Sequence, residues 1–460
     1  MIKFSEYYWP IAKPEAKVLE LQKETVKFQL KHKRAFILND MGTGKTMCSL
    51  WTMDLLFLNQ KIKKVLITSP LSTIQSVWGN EIFLNFPQYT YAIAHGSKEK
   101  RIEAINSDVH FVIINHHGLS ICQNEIIKAK FDVFIVDELA VFKNPKTEMT
   151  QAAIKIASKI KSVYGLTAEP TPENPTEAYS QAKIVNPWNP LLPQSFYAFK
   201  NSVMRKIAPF VEVPLPEAKQ KVYGILQPAV RYTRDMMTDL PSCQTIDIEI
   251  PMTESQTILY KRMKEQLLIE FSEGLITAAN SAVKMLKLIQ IAGGWVKNDD
   301  GQVLRIDSKP RLEEMLKIYK DTHNGKLVVL TTFRGAVTGL NDYFNSKGIS
   351  SQCIYGDVSA KMRTEHINNF QNGDLNVLVI QPMSAAHGIT LTAASNIIWH
   401  TPIPSRTYYG QSNGRISRLG QKHKQLIIRF HGCKEEQRIL KLLDGKENMS
   451  KSVLSMFEHL

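Results

Sequence analysis

The chain has 460 residues, with 57 Lys and Arg against 43 Asp and Glu and a formal net charge of +14. It is therefore too long for one ordinary core, and its basic excess favours an anionic partner, most often nucleic acid. Five scattered cysteines without a C-x-x-C pair argue against a disulfide framework or a zinc site and predict a reducing cytoplasm. The start, MIKFSEYYWP, lacks a signal-peptide pattern, and no apolar run reaches the roughly 18 residues of a membrane helix, so we expect no membrane association.

Short apolar runs in the first part of the chain predict four buried strands: Ala35–Leu38, Val65–Thr68, Phe111–Ile114 and Val133–Val136. The segments between these runs are long enough for helices. Because strand and helix alternate and the strands are solidly apolar, the pattern predicts a parallel sheet that is covered on both faces.

A glycine-rich segment, NDMGTGKT at Asn39–Thr46, follows the first of these strands and opens a predicted helix, which is the context of a phosphate-binding loop. Its glycines let backbone N–H groups face phosphate oxygens, Lys45 can reach the β- and γ-phosphates, and the Thr46 hydroxyl can bind Mg²⁺. Asn39 stands where the strict pattern has its first glycine. The residues predicted to surround the phosphates of ATP are Met41, Gly42, Thr43, Gly44, Lys45 and Thr46.

An acidic pair, Asp137 and Glu138, follows the predicted strand Val133–Val136. At the carboxyl end of a parallel strand, such a pair points into the crevice where ligands bind. Together with the phosphate loop upstream, this position predicts that Asp137 holds Mg²⁺ and that Glu138 polarises the attacking water.

The alternation fades after residue 184 and resumes at residue 326. Prolines and aromatic residues predict an irregular connection over 186–216, and Thr253–Glu273 and Ser281–Ile291 have helical patterns. Five more strands are predicted at Leu327–Thr331, Ser351–Tyr355, Val377–Ile380, Asn396–Trp399 and Leu426–Phe430. The sequence thus predicts an α/β fold in which two parallel-sheet domains, 1–185 and 305–460, flank a mostly helical linker and insertion, 186–304.

The order of these segments resembles that of the superfamily-two helicase-like ATPases, and most closely the Snf (SWI/SNF-like) family, over nearly the whole chain. In the first half the matching segments are LQKETVKF with Gln22, MGTGKT (motif I), SPLSTIQSVWGNEI at Ser69–Ile82 (motif Ia), VIINHHGL at Val112–Leu119 (motif Ib), VDELAVFKNPKT at Val136–Thr147 (motif II) and GLTAEPTPEN at Gly165–Asn174 (motif III). In the second half they are LTTFRG at Leu330–Gly335 (motif IV), YGDVSAKMRTEHINNFQNG at Tyr355–Gly373, SAAHGITLTAAS at Ser384–Ser395 (motif V) and QSNGRISRLGQ at Gln411–Gln421 (motif VI). RYTRDMMTDLP at Arg231–Pro241 resembles the segment that links the two lobes in the Snf family, which favours this family over the DEAD-box RNA helicases.

The resemblance implies two RecA-like domains that use ATP and Mg²⁺. It implies that Gln22 reads the adenine and that Gly388 also contacts the nucleotide. Motif VI implies that Arg418 is an arginine finger, that Arg415 contacts phosphate and that Gln411 positions them; helical spacing would put the three on one face. An arginine finger contributes a rate factor of about 10³–10⁵ in phosphoryl transfer.

The resemblance also implies where nucleic acid is held. The implied contacts are Ser69, Pro70, Asn115, His116, Thr390 and Lys422. Eleven Lys and Arg against five Asp and Glu in the last 60 residues, including Lys424 and Arg429, favour phosphate contacts that carry no sequence information. Trp78 and Trp399 are interpreted as core residues before base-stacking ones, because a tryptophan next to an apolar run is more often packed inside.

Motif III departs from the family pattern T-G-T-P, since this chain has Thr167-Ala168-Glu169-Pro170. Hydrolysis is still expected, because the loop, the acidic pair and the arginines are present. The chain resembles a compact phage- or mobile-element-type motor: a monomeric, cytoplasmic DNA translocase or helicase that acts on duplex, forked or branched DNA largely without sequence preference. The alternatives are an RNA helicase and a DNA-binding scaffold with impaired ATPase coupling.

Overall fold

The computed structural model describes residues 2–12, 17–208, 211–237, 241–272, 278–298, 300–322, 325–385, 389–418 and 421–454. The chain forms two compact units. Met1–Asp239 together with Lys446–Leu460 make the first unit, and Leu240–Gly445 make the second. Residues 186–304, which the sequence assigns to a linker and insertion, are thus divided between both units.

The first unit is built on one large sheet. Its strands in chain order are β1 (Arg34–Ile37), β2 (Val65–Ser69), β3 (Tyr91–Ala94), β4 (Phe111–Asn115), β5 (Val133–Val136), β6 (Ser162–Leu166), β7 (Met204–Ala208), β8 (Val211–Pro214) and β9 (Ala229–Val230). Seven of them form the sheet in the order β3-β4-β2-β5-β6-β1-β9 with every pair parallel, while β7 and β8 form an antiparallel hairpin. The parallel order brings the carboxyl ends of the sheet strands, and the loops after them, to one edge.

Helices cover this sheet on both faces. They are α1 (Glu20–Lys31), α2 (Lys45–Leu58), α3 (Asn80–Asn85), α4 (Lys98–Asn106), α5 (Gly118–Ile121), α6 (Gln123–Lys128), α7 (Glu148–Lys159), α8 (Ala178–Val185), α9 (Phe196–Val203), α10 (Ala218–Ile225) and α11 (Arg234–Met237), with 3₁₀ turns at Phe4–Glu6, Leu139–Phe142 and Pro175–Glu177 and a π-helical turn at Ile74–Gly79. Ser97, Thr147 and Ser195 cap α4, α7 and α9 by accepting a hydrogen bond from the N–H three residues on.

The side chains of each strand alternate between two cores, because successive side chains of a strand point to opposite faces of the sheet. Phe36 and Phe134 pack into the core on one face, and Ile37 and Ile135 pack into the core on the other. This double burial explains why the strands are continuous apolar runs rather than alternating ones.

The second unit repeats the arrangement. Its strands are β10 (Cys243–Glu249), β11 (Trp295–Lys297), β12 (Val303–Arg305), β13 (Leu327–Leu330), β14 (Ser351–Ile354), β15 (Val377–Ile380), β16 (Asn396–Trp399) and β17 (Gln425–His431). Its helices are α12 (Glu254–Ser272), α13 (Ala278–Gly293), α14 (Lys309–Lys320), α15 (Arg334–Ser346), α16 (Ala360–Asn372), α17 (Pro382–Ala385), α18 (Arg406–Asn413) and the part of α19 (Lys434–Leu454) that ends at Gly445. Six strands form a parallel sheet in the order β10-β17-β16-β13-β15-β14, and β11 and β12 form an antiparallel hairpin.

The predicted fold class, with two parallel-sheet α/β domains, is confirmed. Every strand predicted from an apolar run is present, with ends that agree within one residue. The irregular connection predicted for 186–216 is wrong, because α9 and the hairpin of β7 and β8 lie there. No helix in the described part of the chain is long and apolar enough to cross a bilayer.

Candidate nucleotide and nucleic-acid sites

The phosphate loop lies between β1 and α2, at the carboxyl edge of the first sheet. Gly42 and Gly44 have φ angles of 80° and 84°, in the left-handed region that favours glycine. A Cβ on Gly44 would lie 2.5 Å from Nε2 of Gln22. That Nε2 donates to the Thr43 carbonyl at 3.0 Å, and the Leu19 N–H donates to Oε1 of Gln22 at 3.0 Å. Gln22, predicted to read the adenine, therefore packs directly against the loop.

Lys45 is the first residue of α2, and its ammonium is held by the loop itself. Nζ donates to the carbonyls of Asn39 at 2.7 Å and Asp40 at 2.9 Å. Burial lowers the pKa of Lys45, and the carboxylates of Glu138, Asp40 and Asp137 oppose that change. The four charges thus share one site, in which two carbonyls of the loop bind the Lys45 ammonium.

Asn39, which replaces the first glycine of the strict pattern, is fully buried and connects three segments. Its Nδ2 donates to the Thr25 hydroxyl at 2.9 Å, and its Oδ1 accepts from the Tyr232 N–H at 2.9 Å. The backbone N–H of Asp40 donates to the Tyr232 carbonyl at 3.0 Å. The departure from glycine therefore ties the loop to α1 and to the chain that follows β9.

Arg231 strengthens the same connection, and sequence reasoning missed it. Its guanidinium forms an ion pair with Asp40, with Nη2 and Oδ1 2.8 Å apart, and donates through Nη1 to the carbonyls of Leu38 at 2.7 Å and Ala168 at 3.4 Å. Arg231 thus joins the phosphate loop to motif III. The sequence feature that could have indicated Arg231 is its position at the start of RYTRDMM, which the family resemblance relates only to the segment between the lobes.

The predicted metal ligand Asp137 follows β5 and is surrounded by donors. Oδ2 accepts from the indole Nε1 of Trp78 at 2.9 Å and from the Ser69 hydroxyl at 3.0 Å, and Oδ1 accepts from the Glu138 N–H at 3.0 Å. Burial and the Glu138 carboxylate raise the pKa of Asp137, while Trp78, Ser69 and Lys45 oppose that rise. Glu138 has a φ of 49°, a left-handed conformation that is rare outside glycine and concentrates at functional sites.

The residues present fit a nucleotide with a divalent cation. The Glu138 carboxylate raises the cost of ionising its neighbour Asp137, and a cation of charge +2 is the group that removes this cost. Thr46 lies in the first turn of α2, beside Lys45 at the loop. Among the described residues, no group of three or more His, Cys, Asp and Glu could hold a metal ion.

The predicted nucleic-acid contacts of the first unit lie at the carboxyl ends of β2 and β4, but their side chains are turned inward. Ser69, Pro70, Asn115 and His116 are all buried. The Asn115 Oδ1 accepts from Arg101 at 2.7 Å, and Nδ1 of His116 lies 3.0 Å from the Thr68 hydroxyl. The polar side chains of Ser69, Asn115 and His116 thus bond within the unit, and the assignment of the four residues to nucleic-acid contact stays a prediction. The exposed residues just after β2 and β4 include Leu71, Ser72, Gln75, Ser76 and His117.

Motif VI and motif V meet in the second unit. Nη1 of Arg418 donates to the Thr390 hydroxyl at 3.0 Å, and Nη1 of Arg415 donates to the Ile389 carbonyl at 3.3 Å. Gln411 is buried on α18, which ends at Asn413. The expected common helical face is therefore wrong, because both arginines lie in the turn after the helix.

Three other predicted residues of the second unit have separate outcomes. Gly388 lies outside the described residues. Lys422 is exposed after motif VI. Arg429 is not available for phosphate, because its guanidinium bonds the carboxylates of Asp247 and Asp444.

Trp78 and Trp399 are core residues, which confirms the interpretation from the sequence. Trp78 is 0% exposed and Trp399 is 1% exposed. The indole of Trp399 donates to Asn413 at 2.8 Å. Neither ring is accessible to a base.

Comparison with known proteins gives two matches that together span most of the chain. The model of the SNF2-related domain matches residues 21–310, and that of the helicase conserved C-terminal domain matches residues 309–420. Protein p41 of Acyrthosiphon pisum secondary endosymbiont phage 1 is 25% identical over 80% of this chain and 81% of its own length.

Longer eukaryotic proteins are also similar. The human DNA annealing helicase and endonuclease ZRANB3 is 23% identical over 88% of this chain, and the Danio rerio chromodomain-helicase-DNA-binding protein 1-like is 22% identical over 88%. The chain spans 37% and 40% of their respective lengths. A solved structure, the Sulfolobus solfataricus SWI2/SNF2 ATPase core in complex with dsDNA, aligns over 96% of this chain and 94% of its own at 21% identity, with a TM-score of 0.46.

Proposed function

Because the chain belongs to the family of SNF2-related helicase-like ATPases, we propose that it is a motor that couples ATP hydrolysis to movement along DNA. One observation carries the proposal. The loop lysine Lys45 and the carboxylates Asp137 and Glu138 share one charged site at the carboxyl edge of a parallel sheet. This is the arrangement that phosphoryl transfer to water requires.

Each residue has a distinct part in the proposed hydrolysis. Lys45 leaves the carbonyls of Asn39 and Asp40 and binds the β- and γ-phosphate oxygens. Asp137 and Thr46 hold Mg²⁺, which neutralises phosphate charge when bound. Glu138 orients the attacking water and accepts its proton.

We assign the arginines of the second unit to the same reaction. Arg418 stabilises the charge that develops on the transferred phosphoryl group, Arg415 contacts phosphate and Gln411 positions them. Arg418 donates to the Thr390 hydroxyl, a neutral acceptor that a phosphate oxygen can replace. Because residues of both units then take part in one reaction, hydrolysis can drive movement.

The proposed track is DNA, in duplex, forked or branched form. The net charge of +14 supports an anionic partner. The names of the relatives include DNA helicases. Comparing the ATPase rate with duplex DNA, forked DNA, four-way DNA and RNA separates the proposed motor from an RNA helicase.

The direct test removes the charged groups one at a time. Lys45→Ala and Arg418→Ala are each expected to reduce the DNA-stimulated ATPase rate by at least about 10³-fold, while DNA binding by fluorescence anisotropy stays measurable. Lys61→Ala, at an exposed position after α2, is the matched control and should leave both unchanged. Normal hydrolysis in either of the first two variants contradicts the proposal.

A further inference from the structure

The π-helical turn Ile74–Gly79 separates a buried face from an exposed one. Ile74 and Trp78 lie in the core, and Gln75 and Ser76 are exposed. The Trp78 N–H donates to the carbonyl five residues earlier at 3.1 Å, which is the bond that defines a π turn. Such turns are rare and often occur at functional sites, so this one calls for an explanation.

The buried face reaches the predicted metal ligand. The fully buried indole of Trp78 donates to Oδ2 of Asp137 at 2.9 Å. Ser69, at the end of β2, donates to the same oxygen at 3.0 Å. Trp78 is thus a direct bonded connection between a surface turn and the Asp137 carboxylate.

The exposed face suits a sugar-phosphate backbone. The exposed residues of the segment 69–80 are Leu71, Ser72, Gln75, Ser76 and Asn80, of which four have a hydroxyl or amide side chain, and the segment contains no Lys or Arg. Hydroxyls, amides and backbone N–H groups contact phosphate oxygens and fix position without dominating the affinity. A contact here can therefore transmit a change in position while other parts of the surface supply the binding energy.

We propose that Trp78 is a positioning residue that couples nucleic-acid contact at the exposed face of this turn to the orientation of Asp137. The inference rests on the proposed function, in which Asp137 holds Mg²⁺. Because the ring is enclosed in a close-packed core, it cannot rotate on its own to keep its bond when the turn moves. Displacement of the turn therefore changes the direction of the N–H at Asp137, and reorientation of Asp137 on nucleotide binding displaces the turn.

Trp78→Phe tests this, because it removes the N–H donor and keeps an aromatic ring in the core. Trp51→Phe is the matched control: Trp51 is also buried in the first unit, and its indole donates to the Pro10 carbonyl at 2.8 Å. Loss of a group that orients a metal ligand costs about 10- to 100-fold in metal affinity or activity. We expect Trp78→Phe to lose DNA stimulation of the ATPase by this factor and to keep the wild-type affinity for DNA without nucleotide, and Trp51→Phe to lose neither.

A binding measurement gives a readout that does not depend on turnover. The affinity for a non-hydrolysable ATP analogue with Mg²⁺ is measured by calorimetry with and without duplex DNA, and the ratio of the two dissociation constants is the coupling factor. The wild type and Trp51→Phe should share a factor clearly different from one, and Trp78→Phe should give a factor near one. The same factor in both variants overturns the inference.

Two further outcomes remain interpretable. If Trp78→Phe does not fold, a benzothiophene analogue of tryptophan at position 78 keeps the ring size and lacks the N–H, and the same comparison applies. A wild-type protein with no ATPase activity on any nucleic acid contradicts the proposed function itself. If the wild type is active and Trp78→Phe keeps the wild-type coupling factor, only the inference about Trp78 fails and the proposed function stands.

Discussion

At the scale of single residues, motif patterns located the phosphate loop and the acidic pair, but not their partners. Asn39 binds Thr25 and Tyr232, and Arg231 binds Asp40, across separations of 14 to 193 residues. These contacts depend on which strands are adjacent, and the order of strands in a sheet is not encoded in any local pattern. The loop residues themselves were predictable because their chemistry requires a fixed local spacing.

Asn39→Gly restores the strict loop pattern, yet we expect it to be harmful. The substitution removes two side-chain hydrogen bonds of a fully buried residue, and it weakens the connection of the loop to α1 and to the segment after β9. Each lost bond is worth about 1 kcal/mol, so the KM for ATP should rise and the thermal midpoint should fall. Steady-state kinetics and calorimetry measure both.

Asn106→Gly, at the exposed end of α4, is the control for this substitution. It removes an asparagine without touching the loop and should leave the KM unchanged. An unchanged or lower KM in Asn39→Gly would contradict the prediction, because it would show that the hydrogen bonds of Asn39 do not help the loop to bind ATP.

At the scale of elements, the continuous apolar strands were predictable and the mixed ones were not. β6 contains Ser162, Tyr164 and Gly165, and β10 is mostly exposed, so neither gives the apolar run typical of a buried parallel strand. β9 has only two residues. Each of these strands is held by its place beside a neighbour, which is a tertiary rather than a local cause.

One arginine links two helix ends to strand β1. Arg34, at the start of β1, donates to the carbonyls of Ala157 in the last turn of α7 and Ile160 just after it, and to those of Ile184 and Val185 at the end of α8. A cation at helix C-termini is favourable, and burial lowers the pKa of Arg34 only to about 10, so it is charged at neutral pH.

Arg34→Met should therefore destabilise the first unit without affecting the nucleotide site directly. The substitution leaves buried carbonyls without a charged donor, which we expect to lower the free energy of unfolding by about 3 kcal/mol. Urea unfolding followed by circular dichroism measures the loss. Lys33→Met, at the exposed neighbouring position, is the control, and equal stability of the two variants would show that the four bonds contribute nothing net.

At the scale of the whole molecule, many arginines are buried and bond to groups within the protein. Seven arginines are buried in the described part of the chain: Arg34, Arg101, Arg231, Arg311, Arg406, Arg415 and Arg429. Arg311 pairs with Glu436, and Arg429 pairs with Asp247 and Asp444. Exposed cations are left mainly to lysines such as Lys422 and Lys424. A lysine contacts phosphate as a point charge and lacks the planar fork that reads guanine edges.

DNA binding should therefore depend steeply on salt and little on sequence. If six or more phosphates are contacted, affinity is expected to fall by about 10³-fold or more between 50 and 200 mM salt, while duplexes of unrelated sequence bind alike at each concentration. Fluorescence anisotropy titrations with two unrelated duplexes measure both properties. A shallow salt dependence, or a strong preference for one duplex, would mean that base contacts rather than lysine–phosphate contacts hold the DNA, which a motor that passes over all sequences cannot use.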